Sequence, residues 1–400
     1  MADAKDRKGP LKDLRMIELG QLIAGPYCGQ LFADMGADVI KVEAPGMGDP
    51  MRVWGREGYP LWWSSCARNK RCITVNLRED AGQNIIKDLI KDADFLLENF
   101  RPGTMERWGL SYDVLKEINP GLIMIRVSGY GQTGPYSKRP GYASVGEAMG
   151  GLRYLMGNPE SKPSRAGISL GDSLAGTFAT VGALAALHHR EKTGEGQVID
   201  ASIYESILAF MESTVSEYTV AGHTRERSGS ILPAIAPSNI YDAKDGMMII
   251  AANQDTIFLR LCKAMGVPDM AKDERYATHV ARGTNQTELD NIINDWTLTR
   301  TMAEVEEIMI EHAVPVGKVY RAKDMLEDEH YKAREALIDM PSSRFETVKM
   351  QNVFPKMSKT QGEVRWAGPE TLGQHTQDVL TELLDLTPEQ VEKLRQSNIV

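Results

Sequence analysis

The chain has 400 residues, 42% hydrophobic and 25% charged, a globular balance that can bury a core without disulfides or metals and has room for two or three domains. Its 46 basic and 55 acidic side chains give a formal net charge of -9, which argues against a nucleic-acid binder that works by neutralising phosphates. Cys28, Cys66, Cys72 and Cys262 form no CxxC pair, so neither a zinc site nor a disulfide framework is expected.

Leu14 to Leu19 reads as a strand ending at Gly20, and Pro26 as the first position of a helix that stops at Gly36. Val39 to Val42 is the next strand, closing a βαβ unit. Helix Ala81 to Lys91, strand Phe95 to Glu98, a helix around Tyr112 to Ile118 and strand Leu122 to Ser128 continue the alternation. That pattern predicts a parallel sheet with helices on its faces. Ser169 to His189, rich in Ala, Gly and Leu, predicts a closely packed helix, and Val198 to Ala201 a strand. His223 to Pro237 reads as a linker. A smaller α/β block follows: strand Met247 to Ala252, helix Asp255 to Met265, helices near Glu288 to Trp296 and Met302 to His312, and strand Val314 to Val319, ending near Asp328. Thr387 and Gln390 form a capping-box pattern before a surface helix. Met1 to Pro10 lacks a signal-peptide core, and the apolar stretches are broken before a membrane span is complete. A soluble, cytoplasmic protein with no membrane partner is expected.

Several segments carry chemistry. The turn Gly20 to Pro26 is a backbone cradle at a helix start, able to receive a phosphate or a pantetheine amide. It lacks the GxGxxG spacing of a dinucleotide site, so no nicotinamide cofactor is expected. Arg68-Asn69-Lys70-Arg71, with Arg78, Arg101, Arg107, Lys138 and Arg139, could build one anion site from several strand ends. Asp172, in Ser169-Leu170-Gly171-Asp172, precedes a long helical pattern. It is either an N-cap or a carboxylate kept ionised by the helix dipole and able to attack an activated acyl carbon. No GxSxG or HExxH pattern accompanies the histidines. His375 reads as a contact at a helix start.

Taken together, the chain resembles the class III coenzyme A (CoA) transferase family, whose members include formyl-CoA transferase. The resemblance rests on Ala24-Gly25-Pro26; Leu31 to Asp34 followed by Gly36 to Glu43; Gly48-Asp49-Pro50; Arg68 to Arg71; Glu98 to Gly103; Gly129-Tyr130-Gly131; Gly171-Asp172; Lys192 to Gln197; and Leu372 to Thr376. It implies a large Rossmann-like domain built from both chain ends (1–222 and 328–400), a smaller central α/β domain (223–327), and an interlocked homodimer. It implies Asp172 as the nucleophile, passing through aspartyl anhydride and aspartyl-CoA thioester intermediates, with CoA as substrate and no tightly bound cofactor. Ile23, Ala24, Arg78, Asn99, Phe100, Arg107, Lys138 and Arg139 are the expected CoA contacts. Tyr142, Gly171 and Arg165 fall on the acyl side, and Arg165 could pair a remote carboxylate. The acceptor would be a small carboxylic acid, with dicarboxylates such as succinate, malate, citramalate, itaconate, oxalate or glutarate implied by what relatives use. Two positions depart from the family: Ala44 replaces an arginine that contacts CoA, and Ala143 replaces an acidic residue. The related α-methylacyl-CoA racemases need a histidine base where this chain has Tyr142, and tyrosine is a poor base near neutral pH. A non-catalytic CoA-binding protein is the remaining alternative.

Overall fold

In the computed structural model, which describes residues 7–400, short aliphatic runs become strands. They are Arg15–Glu18 (β1), Asp38–Glu43 (β2), Arg71–Thr74 (β3), Phe95–Glu98 (β4), Ile123–Ser128 (β5) and Val198–Ser202 (β6). The expectation for the N-terminal segment falls mostly outside the described residues. All six strands pair in parallel, in the order β3-β2-β1-β4-β5-β6. Side chains alternate between the two faces, as the pleat requires. Ile17, Leu96 and Met124 enter one apolar cluster; Met16, Phe95, Leu97 and Ile125 enter the other. A sheet buried on both faces needs helices on both.

The helices up to β6 and just after it are Ala24–Asp34 (α1), Leu61–Cys66 (α2), Asp80–Ile90 (α3), Thr104–Arg107 (α4), Tyr112–Ile118 (α5), Ala143–Met149 (α6), Leu152–Leu155 (α7), Leu170–Thr193 (α8) and Ile203–Leu208 (α9). In α3 the stripe Ile85, Ile86, Leu89 and Ile90 faces the first cluster. α1 and α8 cover the second, with Phe32, Ala33, Ala175, Ala179, Ala183 and Ala186. By length and mean hydropathy α8 could cross a bilayer, so the expectation that every apolar stretch is interrupted fails there. Its alanine stripe packs into the core instead. Pro26 is the third residue of α1 rather than the first. It still lies in the first turn, where its missing N–H costs nothing.

Contacts divide the chain into two units. One takes the chain up to Leu152, Ala166–Ala221 and Lys332–Val400; the other takes Arg153–Arg165 and Gly222–Tyr331. In the second unit Ser238–Ala243 (β7), Gly246–Ala251 (β8) and Val316–Lys318 (β9) form an antiparallel sheet. It packs on helices Asp255–Ala264, Gln286–Leu298 and Met302–Glu311 through Met248, Ile250, Phe258, Leu289, Ile293 and Val305. Arg282 is fully buried there and donates to the carbonyls of Ala236, Tyr276 and Asn253 and to Asp255.

In the first unit, Leu337–Ser342 (β10) and Glu346–Gln351 (β11) form a hairpin. Helices Thr376–Leu384 and Pro388–Gln396 then return the chain end to the sheet. Val379, Leu380, Val391, Ile399 and Val400 share a cluster with Ile17, Ile73 and Ile85. The Thr387–Gln390 capping box is formed in both directions. Gly373 to Thr376 is fastened to edge strand β3: His375 Nδ1 accepts the Cys72 N–H at 3.0 Å, and Thr376 Oγ1 accepts the Thr74 N–H at 3.0 Å. These side chains occupy donors that an open edge would leave unpaired.

Candidate active site

The strand order reverses direction between β1 and β4, and open α/β sheets bind ligands outside the carboxyl ends of strands at such a switch point. The turn Gly20 to Pro26 leaves the end of β1, and Asn99 leaves the end of β4. The two are joined reciprocally: Gln21 N–H donates to Asn99 Oδ1 at 2.7 Å, and Asn99 Nδ2 donates to the Gln21 carbonyl at 2.8 Å. Leu22 holds a left-handed φ of 61°, and its N–H donates to both oxygens of Asp49 at 3.2 and 3.3 Å. Lys41 Nζ donates to the Gly20 carbonyl and Lys70 Nζ to the Pro26 carbonyl, each at 2.7 Å.

The groups that pin this turn are charged and almost fully buried. Lys41 pairs with Glu18 at 3.0 Å and with Asp49 at 2.8 Å; Lys70 pairs with Glu18 at 2.7 Å. Burial alone would lower the Lys41 pKa, but Glu18, Asp49 and Glu43 outweigh it and raise it. Burial alone would raise the Asp49 pKa, but Lys41 and the N–H groups of Met51 and Leu22 hold it below the ordinary carboxylate value. Lys41 and Asp49 therefore stay ionised at neutral pH, and the surrounding opposite charges fix the turn's geometry.

The basic run Arg68 to Arg71 belongs to this buried framework and not to an anion site, contrary to the expectation from its sequence. Arg68 grips Asp34 through Nε and Nη2, and Arg71 pairs with Asp38 and Glu382. The reason is position: Arg71 opens β3, so the run lies against neighbouring strands and helices and each cation is matched by a carboxylate.

Asp172 is not an N-cap. Ser169 holds that place, without a side-chain capping bond, and Asp172 is the third residue of α8. It is partly buried, in the first turn, where the helix dipole favours a carboxylate. Gly171 is buried and its N–H donates to Glu147 Oε1 of α6 at 3.2 Å. One turn after Asp172, a Cβ placed on Gly176 would stand 2.8 Å from the Ala24 carbonyl oxygen and 3.1 Å from the Cys28 nitrogen. Only glycine allows this approach. The contact sets the start of α8 beside the first turn of α1, and so beside the Gly20 to Pro26 turn.

The other expected site residues divide. Ile23 and Ala24 are buried at the start of α1, Ile23 within a cluster with Met51, Trp63 and Cys72. Asn99 locks the turn, and the Phe100 ring stands edge-on to Trp108 at 5.1 Å between centroids. Tyr142 is the exposed N-cap residue of α6, the helix that carries Glu147. Arg78 is exposed after β3, and exposed Arg107 donates to Thr104 Oγ1 at 2.9 Å. Lys138 and Arg139 are exposed, the Arg139 guanidinium 3.6 Å from the Tyr136 ring centre. Arg165 is exposed and belongs to the second unit. Sequence reasoning missed Lys41, Asp49 and Glu147 as site-building groups. The available signal was a charged residue inside an aliphatic strand, Lys41 in Asp38–Glu43.

A doubly wound parallel sheet with a fixed turn at its switch point is the framework of a nucleotide- or CoA-using α/β enzyme. The chain belongs to CoA-transferase family III, whose profile matches residues 11–376, and it is a class III CoA-transferase. The succinyl-CoA–D-citramalate CoA-transferase of Chloroflexus aurantiacus is 54% identical over 98% of both chains. The beta subunit of the succinyl-CoA–L-malate CoA-transferase of the same organism is 42% identical, again over 98% of both. The fold matches the crystal structure of a CaiB/BaiF family protein from Brucella suis with a TM-score of 0.84 and 32% identity, covering 94% of this chain and 100% of that one.

Proposed function

We propose that this enzyme moves CoA from succinyl-CoA to a small dicarboxylic acid, citramalate first among them, with Asp172 as the nucleophile. The observation that carries the substrate reading is the 54% identity, over 98% of both chains, to a transferase named for succinyl-CoA and D-citramalate. Relatives named for malate, glutarate and mesaconate support the broader dicarboxylate class.

The position of Asp172 suits the chemistry. Its carboxylate oxygen attacks the thioester carbonyl carbon; a C–O bond forms, the C–S bond breaks, and a mixed anhydride and CoA thiolate result. The thiolate then attacks the Asp172 carboxyl carbon and expels succinate, leaving an aspartyl-CoA thioester. The acceptor carboxylate displaces the thiolate to give a second anhydride, and the thiolate attacks the acceptor's carbonyl carbon to release the new thioester and free Asp172. No proton need be moved between side chains, and the thioester's free energy is conserved throughout. CoA would lie along the Gly20 to Pro26 turn by Ile23 and Ala24, in a tunnel lined by Asn99, Phe100 and Arg107, with Arg78 near its adenine, Lys138 and Arg139 supplying positive charge, and no other cofactor. Tyr142 and Gly171 would border the acyl group.

The test is mass spectrometry of the protein after mixing with succinyl-CoA and quenching with hydroxylamine. A hydroxamate on Asp172 is expected, and Asp172→Ala should lose it, with transfer falling to a trace while CoA still binds. A variant that kept substantial transfer would remove Asp172 from this role.

The large domain of 1–222 and 328–400 would then hold CoA and Asp172, and the enzyme would work in the cytoplasm as an interlocked homodimer. Exposed Phe178 and Val181 on α8 and Phe210 after α9 support a partner on that face. A monomer in light scattering at micromolar concentration would contradict the dimer.

A further inference from the structure

The first N–H groups of a helix have no partner within it and are ordinarily met by the N-cap side chain. Ser169 does not supply one. The Gly171 N–H is met from another helix, by the side chain of Glu147 at 3.2 Å. Glu147 is 1% exposed, and nothing in the transfer chemistry above uses it. The helix that carries it is closely packed on α8 and α9. A Cβ on Gly171 would stand 3.1 Å from Glu147 Cγ, and α6 is pressed onto α9 so closely that a Cβ on Gly146 or Gly150 would lie 2.5 Å from a methyl of Ile203 or Ile207.

We propose that Glu147 is a positioning residue for the nucleophile, acting as the cap that α8 lacks. The inference rests on the assignment of Asp172 as that nucleophile. Capping from α6 fixes the turn on which Asp172 stands. Glu147 thus holds the turn in place through a side chain from another helix, and α6 links the cap to Tyr142 at the opposite end of the same helix.

The experiment is a rapid-quench measurement of Asp172 acylation by succinyl-CoA without acceptor, normalised to folded protein. In Glu147→Ala the rate should fall about a hundredfold, the usual consequence of a nucleophile misplaced by about 1 Å, while the KM for succinyl-CoA stays within about twofold. Glu147→Gln should recover most of the rate, because its amide oxygen accepts the same N–H. If Glu147→Ala does not fold, Glu147→Met, similar in volume and without an acceptor, is read in its place. Acylation at the wild-type rate in the variant lacking the acceptor, or a Glu147→Gln as slow as that variant, would overturn the proposal. A wild-type enzyme that forms no adduct on Asp172 would overturn the nucleophile assignment itself, and that result is visible before any Glu147 variant is compared.

Discussion

Two neighbouring segments of the site are held rigid by opposite means. The Gly20 to Pro26 turn is fixed by buried charge: Lys41, Asp49, Lys70 and Glu18 surround it, and three of them bond directly to its backbone. The start of α8 is fixed by close packing of small residues, with Gly176 on the Ala24 carbonyl and Ala175 and Ala179 in the core. The difference follows from what each segment must do. A turn whose φ and ψ are irregular leaves backbone groups without helix or strand partners, and buried groups of that kind must be paired. A helix satisfies its own backbone, so what remains is to set its depth and rotation, and glycine and alanine do that by letting two helices touch.

Removing one element from each segment should separate the two modes. Lys41→Met leaves Glu18 and Asp49 buried with one cation fewer and deprives the Gly20 carbonyl of its donor. Breaking a buried pair from one side costs about 3–5 kcal/mol, so urea unfolding should shift by that amount and the KM for acyl-CoA should rise with it. An unfolding free energy within about 1 kcal/mol of wild type would mean the turn does not depend on that charge. Gly176→Val instead forces α8 away from α1. Overpacking of that kind costs about 1–3 kcal/mol, less than the charge deletion. Its mark should be a fall in kcat larger than the rise in KM, because the displaced group is Asp172 and not the CoA turn. Equal changes in both constants would mean the two segments move as one body.

The sequence carried most of this architecture because alternation of short aliphatic runs with 3.6-period stripes is a local signal. Phe95–Glu98 and Tyr112–Ile118 are found where the pattern puts them. β3 was illegible, since Arg71 to Thr74 opens on the basic run and its burial comes from Asp38 and Glu382, residues far away in the chain. Asp172 could be singled out from its motif, but its place three residues inside α8 could not, because the cap residue is a serine that does not cap. Glu147 gave no signal at all. A glutamate in a short helix reads as solvent-facing, and its burial comes from segments distant in the chain, Gly171 of α8 among them.

The smallest expected effect concerns His375. Its Nδ1 accepts the Cys72 N–H, so the ring must be neutral to hold the C-terminal segment to edge strand β3. Burial lowers its pKa below 6.5, and the nearby Arg71 lowers it further against the pull of Asp378. The sign follows from proton counting. Well above pH 6.5 the ring is neutral in folded and unfolded chains alike and contributes no pH dependence. As pH falls below that value the unfolded chain takes up a proton that the folded one does not, so stability declines until the folded pKa is passed. One proton limits the slope to about 1.4 kcal/mol per pH unit. His375→Asn keeps an acceptor for the Cys72 N–H through its side-chain oxygen and removes the titration. Chemical unfolding of both proteins at intervals downward from pH 7 should show the wild type losing stability faster through this window, with the two curves parallel above it. Superimposable curves across the whole range would mean that the ring is free to protonate in place, and that Thr376 and the neighbouring backbone hold the strand edge without it.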